Sequence, residues 1–260
     1  MRVVPLGSGS RGNATLVEFE RTGTLFGSTR LLVDAGLSAR ELTRRLALVD
    51  VAPETIDAIL LSHEHDDHTR GAERFSRKHE VPVLCSAATL EALDLSPRHF
   101  SRWTPLVAGR PASVGGISVE SFAVPHDAAD PVGFVLTNNR RRFGIATDLG
   151  HATPPVVERL RGCDVLMIES NHDDRMLDEG PYPWHLKQRV SGRLGHLSNR
   201  EAAELLRHVV DGVCRVVVLA HLSEKNNTRQ LAHRSAAAVV GRGRQIHVAA
   251  SDEPLTPIVV

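Results

Sequence analysis

Ile56-Asp57-Ala58-Ile59-Leu60-Leu61-Ser62-His63-Glu64-His65-Asp66-Asp67-His68-Thr69-Arg70-Gly71 decides the reading of this chain. Its first part, Ile56 to Leu61, is an apolar run of the length of a buried strand. Its second part is a tight polar turn that carries His63, His65, Asp67 and His68. Three imidazoles and a carboxylate are a donor set that suits zinc, manganese or iron. Crowding three histidines and two aspartates into one turn brings no folding benefit. The turn is therefore expected to bind metal, and two ions rather than one.

Working outward, three later strand ends offer the same donor types. Ser118–Val124 runs into Pro125-His126-Asp127, Arg142–Thr147 into Asp148-Leu149-Gly150-His151, and Arg215–Ala220 into His221. A single histidine after a strand is more often a surface or core-edge residue than a ligand. Four strand ends that converge on one chemistry carry more weight, because binding residues sit on loops held by a rigid scaffold. Asp34 closes the strand Arg30–Val33 and is either a turn residue or a carboxylate that steadies a ligand histidine.

The remaining pattern alternates strands and helices. Strands are expected at Val3–Leu6, Ala14–Phe19, Val81–Cys85, Val132–Thr137, Val165–Glu169 and Gln245–Ala249. Helices are expected at Ala39–Leu48, Gly71–His79, Ser86–Leu93, Pro154–Arg161, from Asn199 to about Val210, and at Arg229–Gly241. Ser198 and Glu201 form a capping box at the start of the 199–210 helix. Gly7-Ser8-Gly9-Ser10-Arg11-Gly12-Asn13 lacks the lysine of a phosphate-cradling loop and reads as a hairpin connection. Several strand pairs are close enough for hairpins, so helix-covered paired sheets are expected, not a doubly wound parallel sheet. No linker or repeat divides residues 1–260, which points to one domain.

Charge is balanced, with 31 basic and 31 acidic residues, which argues against a general polyanion-binding surface but leaves room for a local groove. Cys85, Cys163 and Cys214 lie in apolar stretches without metal spacing and are expected to be reduced, as in a cytoplasmic protein. The N-terminus has no signal-peptide pattern, and no apolar run reaches the ~20 residues needed to span a bilayer. No membrane partner is expected.

His63-Glu64-His65-Asp66-Asp67-His68 resembles the HxHxDH signature of the metallo-β-lactamase-fold superfamily, and the order His126, Asp148, His221 is that superfamily's order. The segments Gly7–Asn13, Pro125–Ala128, Thr147–Gly150, Glu169-Ser170-Asn171-His172-Asp173, Gly195-His196-Leu197-Ser198-Asn199 and Ala220–Ser223 resemble its YycJ/WalJ branch. The resemblance implies an α+β fold, a four-layer αββα sandwich. It implies that His63, His65 and His126 hold one divalent ion, that Asp67, His68 and His221 hold another, and that Asp148 bridges them. It also implies a 5′–3′ exodeoxyribonuclease with DNA as partner.

The chemistry agrees with that implication. Two ions about 3.5–4 Å apart can share a hydroxide that attacks phosphorus in line with the leaving oxygen. Zinc, manganese and iron all remain open. Asp67 is a catalytic candidate through its metal, and His196 and His151 are candidates for protonating the leaving group. His196 precedes a helix N-terminus, where phosphate binds well. The stretch Gly180–Arg189 combines Tyr182 and Trp184 with cations, a pairing that can stack bases and contact phosphates. Lys187, Arg189 and Arg193, with Asn171 and His172, are the candidate substrate contacts. Competing readings are hydrolysis of a small ester, thioester, lactone or cyclic phosphodiester, and a non-catalytic metal-binding regulatory module.

Overall fold

The structure, a computed structural model, describes residues 1–20 and 27–260. The described residues form two seven-stranded sheets. The first contains β1 (Arg2–Gly7), β2 (Ala14–Glu20), β3 (Ser28–Val33), β4 (Ala58–Leu60), β5 (Val83–Cys85) and β6 (Trp103–Pro105), with β14 (Ile258–Val259) beside β1. The second runs in spatial order from β7 (Ala112–Val114) through β8 (Ile117–Ala123), β9 (Val132–Thr137), β10 (Arg142–Ala146), β11 (Val165–Glu169) and β12 (Val216–Ala220) to β13 (Gln245–Val248).

Each sheet is antiparallel on one side and parallel on the other. β1, β2 and β3 pair antiparallel, and β3 to β6 run parallel. The second sheet repeats this, with β7 to β10 antiparallel and β10 to β13 parallel. The parallel strands explain the alternation with helices, since a parallel connection must cross back over the sheet.

The helices are α1 (Ala39–Ala47), α2 (Asp66–Thr69), α3 (Ala72–His79), α4 (Ala87–Ala92), α5 (Pro154–Leu160), α6 (Asp174–Glu179), α7 (Trp184–Val190), α8 (Asn199–Val209) and α9 (Arg229–Val240). Three apolar layers hold the sandwich together. Val17, Phe19 and Leu31 of the first sheet meet Phe134, Phe143 and Val218 of the second. Leu42 and Leu46 of α1 and Phe75 of α3 cover the outer face of the first sheet. Leu160 of α5, Leu205 and Leu206 of α8 and Ala232 of α9 cover that of the second. Each fully buried Leu or Phe here contributes about 1.5–3 kcal/mol, so the four-layer αββα order follows from which faces are apolar.

Local chemistry sets the helix starts. Ser38 accepts from the Glu41 amide at the head of α1, and Ser198 and Glu201 close the expected capping box on α8. The structure departs from the sequence pattern in three places. The apolar run 56–61 gives only the three-residue strand Ala58–Leu60. The short helices α6 and α7 carry too few apolar residues to show a period. β14 has two residues and is defined by pairing with β1, Arg2 opposite Val259.

Candidate metal centre

The parallel strands of both sheets deliver their C-terminal ends to one place. β3 ends at Asp34, β4 at the His63–His68 turn, β10 at Asp148, β11 at Glu169 and β12 at His221, while β8 leads to His126. Asp34, Asp148 and His221 all adopt left-handed backbone, with φ of 60°, 55° and 55°. Non-glycine residues enter that region at a cost, and such strain clusters at functional sites. Here it turns Asp148 and His221 into the shared pocket and Asp34 onto His68 behind it. Gly36 lets the Asp34 loop close on the metal turn: a Cβ there would lie 1.6 Å from the Asp67 carbonyl oxygen.

The pocket has a volume of roughly 220 Å³ and includes His65, Asp67, His126, Asp148, His196 and His221 in its lining. His63, His65 and His126 place one ligand atom each within 4.8 Å of one another, and so do Asp67, His68 and His221. Asp148 lies between the two sets. Its Oδ1 is 3.7 Å from His126 Nε2, and its Oδ2 is 3.1 Å from His68 Nε2. A carboxylate can serve two partners in this way, whereas a neutral imidazole offers one lone pair.

Divalent metal fits these residues. His63 Nε2 and His126 Nε2 are buried ring nitrogens without a hydrogen-bond partner among the described residues. Leaving such atoms unmatched is costly, and a cation satisfies both. Burial, with nearby His68, pushes His63 well below the ordinary imidazole value, and burial lowers His126 too, so both rings are neutral and able to ligate. Burial also disfavours charge on His68 and His221, but the Asp148 carboxylate outweighs it and holds both well above the usual value. The cluster thus has a negative field that calls for positive charge.

The ligands are in turn held by polar residues. Asp34 Oδ2 accepts from His68 Nδ1 at 2.8 Å, and Asp34 also takes the Ser62 amide and hydroxyl. The carboxylate only accepts, so a proton of His68 sits on Nδ1, and Nε2 faces Asp148 and the pocket. Asn13 bonds the Asp67 carbonyl and carboxylate and approaches His68 Nε2 at 3.0 Å, which gives the Gly-rich hairpin a role beyond connection.

Sequence reasoning assigned no role to Glu169, which is fully buried. Its Oε1 accepts from His221 Nδ1 at 2.8 Å and His196 Nδ1 at 2.9 Å, and its Oε2 from the amides of Leu149 and Leu197. Burial pushes the Glu169 carboxyl up, but the His196 and His221 rings outweigh it and hold it at about 2. The signal available in the sequence was a carboxylate closing the wholly apolar strand Val165–Ile168, since a buried charge needs partners.

The remaining candidates separate. His196 lines the metal pocket. His151 does not: it lines a different hollow, between α5 and α8, and both its ring nitrogens face Arg193, Nδ1 the carbonyl and Nε2 the guanidinium. It is not placed to protonate a leaving group. Asn171 and His172 are buried and not placed to contact substrate. Asn171 instead bonds the His221 carbonyl oxygen, and Asn227 ties the carbonyls of Ser170 and Asn171 to Asn199. The Glu-Ser-Asn-His-Asp and Gly-His-Leu-Ser-Asn segments thus form an internal bracket behind His221.

Arg189 lines the pocket on α7 and pairs with Asp127 at 2.7 Å. Lys187 donates to the Asp178 carbonyl, and Arg193 packs against His151, so neither is a free cation at the pocket. Trp184 is 68% exposed, and Tyr182 sits beneath the Lys225 ammonium, 5.8 Å from the ring centre.

A sandwich of this topology, with histidines and aspartates gathered at the sheet ends, is the architecture of metallo-β-lactamase-fold proteins. The chain belongs to the beta-lactamase superfamily, whose domain model matches residues 29–222, and within it to the WalJ/YycJ branch. It is 35% identical to the exodeoxyribonuclease WalJ of Streptococcus pneumoniae, over 88% of this chain and 84% of that one. It is 34% identical to the exodeoxyribonuclease YycJ of Bacillus anthracis, over 93% and 92%. The fold matches the metallo-beta-lactamase fold protein YhfI of Bacillus subtilis with a TM-score of 0.75 at 17% identity, over 98% of this chain and 99% of that one. It matches Zn²⁺-bound PqqB of Methylobacterium extorquens with a TM-score of 0.70 at 19% identity, over 98% and 100%.

Proposed function

We propose that the chain is a metal-dependent 5′–3′ exodeoxyribonuclease that carries two divalent ions, zinc or manganese, with iron a further candidate. One observation carries the reading: seven His and Asp side chains with metal-ligating atoms cluster at the sheet ends of a chain that aligns with exodeoxyribonucleases over most of its length. A module kept only for binding would be free to lose members of that set. The 5′–3′ polarity rests on the family resemblance, and three buried free cysteines accord with a cytoplasmic setting.

His63, His65 and His126 would hold one ion, Asp67, His68 and His221 the other, and Asp148 both. Bound there, such ions supply Lewis acidity toward a phosphoryl oxygen and a water-derived nucleophile near neutral pH. The side chains around them have separate tasks. Asp34 and Glu169 fix the His68 and His221 rings with Nδ1–H bonded away from the pocket, so that Nε2 faces it. His196, whose Nδ1 is engaged by Glu169, has Nε2 left to hold and deliver a proton to the leaving oxygen. Arg189, held at the rim by Asp127, would meet a phosphate on its way in.

The test is a cleavage assay with 5′-labelled duplex DNA, single-stranded DNA, RNA and a small chromogenic phosphodiester, with Mn²⁺ or Zn²⁺ and after chelation. His63→Ala and Asp148→Ala run beside the wild type. Metal-dependent release of mononucleotides, lost in both variants, is the expected result. Turnover of the small diester alone would replace the nuclease with a small-molecule hydrolase.

A further inference from the structure

A second charged feature lies beside the metal turn, on the outer face of the first sheet. Ser38, Ala39, Arg40 and Thr43 of the α1 segment face Arg70, Arg74 and Lys78 across a groove of roughly 630 Å³. Arg70, Arg74 and Lys78 are spaced four apart, and Arg70 and Gly71 keep right-handed helical backbone between α2 and α3. The three therefore line one helical face over ~12 Å. Like charges at this spacing repel, and within the row only Arg70 is offset, by Asp66.

Within the row, only Arg70 is paired with a carboxylate. Glu41 is held by Arg44 and Arg45, Glu73 by Arg77, and Asp66 by Arg70. Asp67 lines the metal pocket. Arg40, Arg74 and Lys78 are exposed, and no carboxylate pairs with them among the described residues. A chain with no net charge has concentrated unpaired cations in one groove.

The Gly-rich hairpin touches both the pocket and the groove's Arg70. Ser10 lines the metal pocket, and the carbonyl of the next residue, Arg11, accepts from Arg70 at 3.0 Å. A polymer with one phosphate at the metals can cross this hairpin and enter the groove. One strand carries a phosphate every 3.4 Å of duplex axis, so ~12 Å matches about three or four of them.

We propose that the α1/α3 groove is a backbone-binding tract for DNA, in which Arg40, Arg74 and Lys78 hold phosphates of nucleotides that are not being cleaved. It rests on the phosphodiesterase reading above and adds to it where the rest of the strand lies. Such contacts are independent of base sequence and set affinity and its salt dependence, not the chemistry of the scissile bond.

The test uses the metal-loaded protein and the triple variant Arg40→Gln/Arg74→Gln/Lys78→Gln. Arg70 stays, because it braces Asp66 and the hairpin. Binding of fluorescent phosphorothioate oligonucleotides is followed by anisotropy at several salt concentrations. The slope of log K against log salt should become shallower by about 2 for a single strand and about 3 for a duplex. Turnover of a small chromogenic phosphodiester should stay within twofold of wild type. An unchanged slope with small-diester turnover intact would overturn the groove and leave the nuclease reading standing. A groove-dependent slope in a protein that cleaves no phosphodiester would support the groove and sink the nuclease. Loss of binding to anionic phospholipid vesicles, with DNA binding unaffected, would reassign the groove to a membrane surface and overturn the proposal.

Discussion

Glu169 Oε1 lies 2.8 Å from His221 Nδ1, behind the pocket and fully out of solvent. The same oxygen takes His196 Nδ1, so one carboxylate fixes the ring of a proposed ligand and that of a proposed proton donor. The second oxygen anchors the amides of Leu149 and Leu197, which carry the loops on either side.

Replacing Glu169 should therefore affect fold and metal together. Glu169→Ala leaves buried amides and imidazole N–H groups without an acceptor and should cost about 3–5 kcal/mol. Glu169→Gln keeps the shape but turns an NH₂ toward groups that are themselves donors. It should fold, with metal affinity reduced about 10–100-fold. Thermal unfolding and competition with a fluorescent chelator measure the two effects. Wild-type metal affinity in Glu169→Gln would show that the carboxylate only supports packing.

Asp34→Asn separates positioning from stability more cleanly. The remaining carbonyl oxygen can still accept from the Ser62 amide, now 2.8 Å from Asp34 Oδ1. The new NH₂ faces His68 Nδ1 and favours the tautomer protonated on Nε2, which cannot ligate. Affinity of one of two metal equivalents should fall about 10–100-fold, with a stability cost of about 1–3 kcal/mol. Calorimetric metal titration resolves the two equivalents. Loss of both, or of neither, would count against Asp34 acting through His68.

The cysteines should be silent in the native protein. Burial pushes Cys85 and Cys214 up to about 11 and Cys163 to about 12. The reactive thiolate is then almost absent at about pH 8. A chromogenic disulfide reagent should modify none of the three within minutes in the folded protein and all three in guanidinium. Rapid labelling without denaturant would contradict the buried placement.

Glu41 offers a pH test away from the metals. Hydrogen bonding from Arg44, and from the buried Arg45 against some desolvation, lowers its carboxyl to about 2. A carboxyl depressed on folding stabilises above its unfolded value and loses that contribution as pH falls through the folded one. Glu41 is partly exposed, so screening limits the effect. Glu41→Gln should cost about 0.5–1 kcal/mol at neutral pH, and the gap from wild type should narrow between about pH 4.5 and 2. Urea melts at several pH values measure it, and a gap independent of pH would exclude this ion pair as its source.

Most strands and the long helices were legible because their signals are local. The α8 capping box and the apolar runs 132–137 and 165–169 are complete within a few residues, and the structure keeps them. α6, α7 and β14 were not, because short elements carry no period and β14 exists only through its partner β1. The His63–His68 cluster was legible because its composition has no folding rationale. His151 was misread for the converse reason. Sequence proximity to Asp148 suggested a shared pocket, yet the left-handed turn at Asp148 directs the chain away and Arg193 takes up the ring.

The amino-acid order by itself determined the donor inventory and a helix-covered pair of sheets, since ligand type and apolar pattern are written residue by residue, and its motifs carried the family resemblance that implied the αββα order. Tertiary structure alone decided which carboxylates do the positioning. Asp34 and Glu169 stand 34 and 52 residues from the histidines they hold. Asp34 and His68 follow the neighbouring strands β3 and β4, and Glu169 and His221 sit at the ends of the neighbouring strands β11 and β12, so only strand pairing within each sheet brings them within hydrogen-bond reach. Tertiary structure also decided that Asn171 and His172 brace the site from inside, and that Arg70, Arg74 and Lys78 share a groove with Arg40. Those roles depend on burial and distance across the sandwich, quantities that no local pattern encodes.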